Sequence, residues 1–188
     1  MLVRLFLAIE LDPEVRRGVA EATAPLRAAA PSLRWVAESR LHMTVEFLGE
    51  QPDEVAAALP AALDDVSHRH RAFAMVVGGV GAFPNFRRPR VVWMGVALDP
   101  RLELLHHDVE VACDRIGHAL DGRPFRPHVT LARARGHVAR EELAQLRAAR
   151  DAMVFGASSV VSSVDLMCSI TGADARYERM HAARLRAS

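Results

Sequence analysis

Lysine is missing from this 188-residue chain: all 24 basic side chains are Arg. Schiff-base catalysis and a phosphate loop ending in Gly-Lys-Ser/Thr are therefore excluded. The simplest source of such a bias is a GC-rich coding sequence. Cysteine is scarce too, with Cys113 and Cys168 isolated and no Cys-x-x-Cys pair, which argues against a disulfide scaffold or a thiolate zinc site and predicts two buried free thiols. No apolar run approaches the roughly 18–20 residues of a membrane helix. The N-terminal run Met1–Ile9 is interrupted by Arg4 and followed by Glu10 and Asp12, so it fits neither a signal core nor an anchor. A cytoplasmic protein with no membrane partner is expected. Blocks of like charge and low-complexity tracts are also lacking, which excludes a disordered or fibrous chain. With 23 acidic residues the net charge is only +1, which speaks against broad nonspecific binding of nucleic acid and leaves a local Arg patch open.

What is present is apolar material, 51% of residues, enough for one domain or two small lobes. Leu2–Ile9 has the length of a strand. Asp12-Pro13 then offers a cap and a first-turn Pro for a helix whose buried stripe is Val15, Val19, Ala22 and Leu26. Ser32–Ala37 and His42–Leu48 read as strands, and Val55, Leu59, Leu63 and Val66 mark a second helix. Pro25 and Pro60 fall inside these helical patterns and are expected to kink or end them. Phe73–Val80 and Arg90–Leu98 read as strands joined by the Gly/Pro-rich turn Gly81–Pro89. Leu102, Leu105, Val109, Cys113, Ile116 and Leu120 keep helical spacing over five turns. His128–Arg133 is a predicted strand and Arg140–Arg150 a short helix, with strand material in Met153–Ile170 and Tyr177–Leu185. Strands and helices mix without regular alternation, so the fold class is α+β with largely antiparallel sheets.

One pattern recurs. Leu41-His42-Met43-Thr44-Val45 and Pro127-His128-Val129-Thr130-Leu131 each open a short strand, 86 residues apart. With nine His and four Thr, composition alone would give about 0.2 His-x-Thr triplets, so two is an excess. Strand side chains alternate, so each His and its Thr share a face while Met43, Val45 and Phe47, or Val129 and Leu131, turn to the core. Two such strands side by side would place two imidazoles and two hydroxyls around one cleft. That set suits acid–base chemistry at phosphorus, where one neutral His accepts a proton, one imidazolium donates one, and hydroxyls steady the phosphate oxygens.

A metal site is the competing reading of paired His. Zinc usually takes three protein ligands, and no third one stands at a telling offset from His42 or His128, so no metal and no cofactor is expected. His68 with His70, and His106 with His107, have more metal-like spacing but read as solvated surface residues, as do His118, His137 and His181.

Together these segments resemble the two-histidine phosphoesterase superfamily, and within it the bacterial and archaeal RNA 2′,3′-cyclic phosphodiesterases, also called 2′-5′ RNA ligases. The resemblance is carried by Arg4–Ile9, Leu41–Gly49 ending in Phe-Leu-Gly, Gly81-Ala82-Phe83-Pro84 with Arg90–Val96, Phe125–Arg133, and Tyr177 in the final strand. It implies one bilobal α+β domain over residues 1–188, with two antiparallel sheets and flanking helices around a central cleft, and a pseudo-two-fold repeat of the His-x-Thr strand. It also implies metal-independent hydrolysis of an RNA 2′,3′-cyclic phosphate end, tRNA-derived ends included, to a 2′-phosphate by a monomer, with 2′-5′ ligation as the reverse. By position His42 resembles the proton donor and His128 the acceptor, Thr44 and Thr130 the phosphate holders, and Arg133 a further phosphate contact. Arg133 has the wrong parity for a flat strand, so its participation requires a bulge or strand end. Family members often carry a basic residue where this chain has Glu46, which could orient His42, repel the phosphate, or reach solvent; solvent is the expected outcome. Trp35 is read as either core or base-stacking and Phe47 as core, while Arg87, Arg88, Arg90, Arg123 and Arg126 are candidates for RNA backbone contacts. Rival readings are a small-molecule cyclic phosphodiesterase, acting for example on ADP-ribose cyclic phosphate or cyclic nucleotides, and an RNA-end-binding module without turnover.

Overall fold

The computed structural model describes residues 3–120, 122, 124–170 and 176–187. Leu2 of the expected first strand lies outside them. Along the chain run β1 (Val3–Glu10), α1 (Pro13–Ala22), α2 (Ala24–Ala29), β2 (Arg34–Trp35), a 3-10 turn (Glu38–Arg40), β3 (His42–Gln51) and α3 (Asp53–Ser67). There follow β4 (Phe73–Phe83), β5 (Val91–Val96), α4 (Pro100–Arg115), β6 (His128–Arg133), α5 (Arg140–Ala152), β7 (Gly156–Val161), β8 (Ser163–Ile170) and β9 (Arg176–Arg184).

The punctuation residues act differently at the three places where the helices were in question. The chain breaks at Thr23, whose hydroxyl donates to the Val19 carbonyl at 2.7 Å, and Pro25 then sits in the first turn of α2, where its missing N–H costs nothing. By contrast α3 runs through Pro60 instead of ending there, held by the buried stripe Leu59, Leu63 and Val66. The predicted five-turn helix is shorter than its spacing suggested. Gly117 takes φ +92°, the His118 N–H reaches back to the Cys113 carbonyl at 3.0 Å, and α4 ends at Arg115, leaving Leu120 exposed beyond it.

The strands order β7-β4-β5-β6-β3-β1-β8-β9, with β2 added on β6, and every ladder between named strands is antiparallel. The two expected sheets are the halves of this curled array, β7-β4-β5-β6 and β3-β1-β8-β9. They meet at a single residue pair, Met43 opposite Val129. Helices α3 and α4 pack behind the β3-β1-β8-β9 half, while α1 meets β7 and continues through α2 to α5. Leu5, Leu7, Ile9, Met43, Met94 and Val129 fill the helix-covered face. Phe6, Ala8 and Met167 form a smaller buried group on the opposite, open face. None of the described helices is long and apolar enough to cross a membrane.

Candidate active site

Because Met43 and Val129 face each other and are fully buried, His42, Thr44, His128 and Thr130 all stand on the open face of the seam. Antiparallel register puts His42 across from Thr130 and Thr44 across from His128. The two His are then diagonal, about 8 Å apart at Cα by strand geometry. Each ring is anchored in the same way. His42 Nδ1 lies 2.8 Å from the Arg40 carbonyl and His128 Nδ1 lies 2.6 Å from the Arg126 carbonyl. A carbonyl only accepts, so Nδ1 carries the hydrogen and Nε2 is left for chemistry. His42 Nε2 stands 3.2 Å from the Thr44 hydroxyl. The repeat thus extends two residues upstream of what composition flagged, to Arg40-x-His42-x-Thr44 and Arg126-x-His128-x-Thr130.

Aromatic rings back each imidazole symmetrically. Phe6 from β1 and Tyr177 from β9 lie 5.1 and 5.4 Å from His42, and Phe83 from β4 and Trp93 from β5 lie 5.1 and 6.2 Å from His128. Gly81, paired with Trp93 across the ladder, is what lets that indole lie on β4: a Cβ there would come within 2.1 Å of the ring. All four aromatics fall in the segments that carry the family resemblance, but their place behind the imidazoles depends on strand pairings that no single segment shows.

Each His-x-Thr segment is followed by a bulge. The register of β3 on β1 slips at Val45, and that of β6 on β5 slips at Leu131. An extra residue reverses parity beyond it. On β6 this turns Arg133 to the open face, the condition its flat-strand parity failed. On β3 it does the same for Phe47, which is 57% exposed instead of in the core. Arg133 and Phe47 are therefore equivalent under the pseudo-two-fold, and both line a cavity of about 450 Å³ together with His42, Thr44, Thr130 and Tyr177. His128 lies outside that lining, though its charge bears on His42. Arg4 and Arg40 add cations the sequence reading did not place there.

Burial pushes both imidazoles below the ordinary value of 6.5. For His42 the Arg40 carbonyl and Glu10 push back upward, while Arg133 and His128 add to the lowering. For His128 the Arg126 carbonyl pushes upward and Arg133 downward, with no carboxylate in play. Glu10 is paired with His42 across the β1–β3 ladder, and Arg179 Nη1 stands 3.6 Å from Glu10 and 3.5 Å from the buried Asp165.

The remaining residues of interest take varied places. Trp35 is not in the cavity lining: its indole N–H donates to the Ala30 carbonyl at 2.9 Å and its ring packs on the core beneath Arg27. Arg126 is exposed and contributes its carbonyl, and Arg123 lies outside the described residues. Glu46 does not reach solvent. The Val45 bulge turns it to the helix side, where His118 Nε2 is 3.6 Å and His106 Nε2 4.0 Å away. His106 is buried, stacked on Phe125 at 3.8 Å, and also 3.4 Å from Glu110. The donor atoms of Glu46, His106 and Glu110 lie within 4.8 Å of one another, close enough to hold an ion, on the face of β3 away from the cavity. His70 and His181 are likewise paired, each 2.8 Å from Asp108 and Asp64 respectively. Cys113 is buried and its thiol is pushed up to about 12, by burial first and then by Glu46 and Glu110, whereas Cys168 is only half-buried.

Residues 9–93 match the family model described as LigT like Phosphoesterase. The chain is 31% identical over 186 residues to an RNA 2′,3′-cyclic phosphodiesterase of Methanothermobacter thermautotrophicus, a match covering 98% of this chain and 100% of that protein. It is 34% identical over 128 residues to one of Geobacillus stearothermophilus, covering 68% of this chain and 41% of that longer protein. Among solved structures it is similar to Escherichia coli LigT complexed with 3′-AMP, with a TM-score of 0.76, 28% identity, and coverage of 98% and 99% of the two chains.

Proposed function

The chain belongs to the LigT-like phosphoesterases, and from that membership we propose that it hydrolyses RNA 2′,3′-cyclic phosphate ends to 2′-phosphates by paired-histidine catalysis. The observation that carries the reading is the seam. Two imidazoles from the two halves are locked through Nδ1, which leaves both Nε2 atoms for chemistry on one face beside two hydroxyls. Thr44, Thr130 and Arg133 hold the phosphate oxygens as charge builds on them. His128 takes a proton from water as the water oxygen bonds to phosphorus, and His42 gives its proton to O3′ as the P–O3′ bond breaks. The products are a 2′-phosphomonoester and a 3′-hydroxyl, with the two His left in exchanged protonation states that solvent resets. The neighbouring Glu10 favours a charged His42, which supports His42 as the acid. In reverse, with a 5′-hydroxyl end in place of water, the same steps form a 2′-5′ linkage. In this reading residues 1–188 act as one bilobal monomeric unit in the cytoplasm, which is supported by both His coming from one chain.

An oligoribonucleotide ending in a cytidine 2′,3′-cyclic phosphate tests this, assayed in excess chelator because the two His supply both proton transfers. Turnover to a 2′-phosphate is expected by phosphorus NMR. His42→Ala and His128→Ala should each lower kcat by at least ~10²-fold with circular dichroism unchanged. Wild-type rates in either variant would remove the assignment. Hydrolysis of ADP-ribose cyclic phosphate in preference to RNA would favour the small-molecule reading, and binding of the RNA end without turnover would favour the binding-module reading.

A further inference from the structure

Past the end of β6 lies a separate concavity of about 750 Å³, lined by Arg87, Arg88, Arg90, Arg135, His137 and Arg140. No Asp or Glu is in its lining. The chain as a whole is nearly neutral, so gathering five Arg around one hollow is not a consequence of general basicity. Elsewhere some arginines find carboxylates: Arg69 with Asp108, Arg101 with Asp99, Arg150 with Asp151, and Arg179 with Glu10 and Asp165. None of these five joins an ion pair among the described residues. Unpaired like charges that crowd one another cost stability, and a polyanion would relieve that cost.

The backbone under these side chains is fixed. Asn85 Oδ1 accepts the N–H groups of Arg87 and Arg88 at 2.9 and 3.3 Å. The Arg90 N–H donates to the Phe83 carbonyl at 2.7 Å, and the Ala134 N–H donates to the Arg90 carbonyl at 3.0 Å, stitching the turn to the end of β6. Val138 and Leu143 are buried beneath it. Guanidinium groups on a pinned backbone lose less freedom on binding than groups on a loose loop.

Position supplies the rest. β6 carries Thr130 and Arg133 in the catalytic cavity, and Arg135 in the concavity is only two residues further, about 7 Å along an extended chain. A cyclic phosphate is by its chemistry the 3′ end of an RNA, so the whole remaining strand runs off on its 5′ side. We infer that the arginine concavity binds the sugar-phosphate backbone of the substrate strand within about one or two nucleotides of the cyclic end. This rests on the hydrolase reading above and makes the enzyme prefer RNA ends over cyclic mononucleotides. The lining holds no Phe, Tyr or Trp and five Arg, so this contact reads charge and not base identity.

The variant R135Q/R140Q tests it, since both side chains are exposed and neither lines the catalytic cavity. With an eight-nucleotide RNA carrying a cyclic end, kcat/KM at low salt should fall about tenfold, chiefly through KM, and the slope of log kcat/KM against log salt should flatten by about 1.4 for two lost single-strand contacts. Hydrolysis of cytidine 2′,3′-cyclic phosphate should stay within twofold of wild type. An unchanged rate on the oligonucleotide, or equal losses on both substrates, would overturn the inference. Fluorescence anisotropy with the same RNA ending in a 3′-hydroxyl separates the two proposals. Binding by wild type that weakens in R135Q/R140Q supports the concavity even if no cyclic phosphate is hydrolysed, and no difference between the two proteins rejects it. Equal affinity of the wild type for polyglutamate would reassign the surface to anions at large.

Discussion

His42 and His128 share a locked Nδ1, an aromatic backing and a neighbouring hydroxyl, and they differ in one charged neighbour. Only His42 has a carboxylate, Glu10, raising its proton affinity, while Arg133 lowers both. Burial holds both below 6.5, so kcat/KM for a cyclic mononucleotide should trace a bell centred on the acid side of that value, its limbs belonging to the coupled pair. A bound phosphate is anionic and favours the imidazolium, so the kcat profile should lie at higher pH than that of kcat/KM. Glu10→Gln removes the upward push on His42 alone. The alkaline limb should then move down by up to about one pH unit while the acid limb stays. Movement of the acid limb instead would exchange the two roles.

At the level of strands, the bulges after Thr44 and Thr130 decide which side chains enter the cavity. Beyond Val45 they send Phe47 outward and Glu46 inward toward His106 and His118. Glu46→Gln should therefore lower stability by about 1–3 kcal/mol through the β3–α4 contact, and leave kcat and KM within twofold. Thermal unfolding and steady-state kinetics on one preparation check both halves of that statement, and a raised KM with unchanged Tm would return Glu46 to the cavity. Period-two alternation was enough to put His42, Thr44, His128 and Thr130 on one face from sequence alone. It was not enough for Phe47 or Glu46, because a bulge is a property of two paired strands and leaves no mark in the alternation of one. Arg133 betrayed its bulge only because the family pattern demanded a residue of forbidden parity.

The whole molecule is two half-arrays, each carrying one His-x-Thr motif, brought into register by Met43 against Val129. Strand and helix identities, set by local periodicity, were largely legible in the chain. The aromatic backing was not, because Phe6 and Tyr177 meet, and the Phe83–Trp93 hairpin reaches His128, only through ladders between sequence-distant strands. The seam should matter for function beyond its share of the core. Met43 is fully buried beneath both motifs, so Met43→Ala should cost about 2–5 kcal/mol, as should truncation of the equally buried Leu59 on α3. Only the first loosens the alignment of two imidazoles that must flank one phosphorus, and misplacement of the order of 1 Å can cost up to ~10²-fold in rate. Assayed well below both melting temperatures, Met43→Ala should lower kcat about tenfold or more while Leu59→Ala stays within twofold of wild type. Equal kcat values in the two variants would mean that the halves are held in register elsewhere, through the helices behind them.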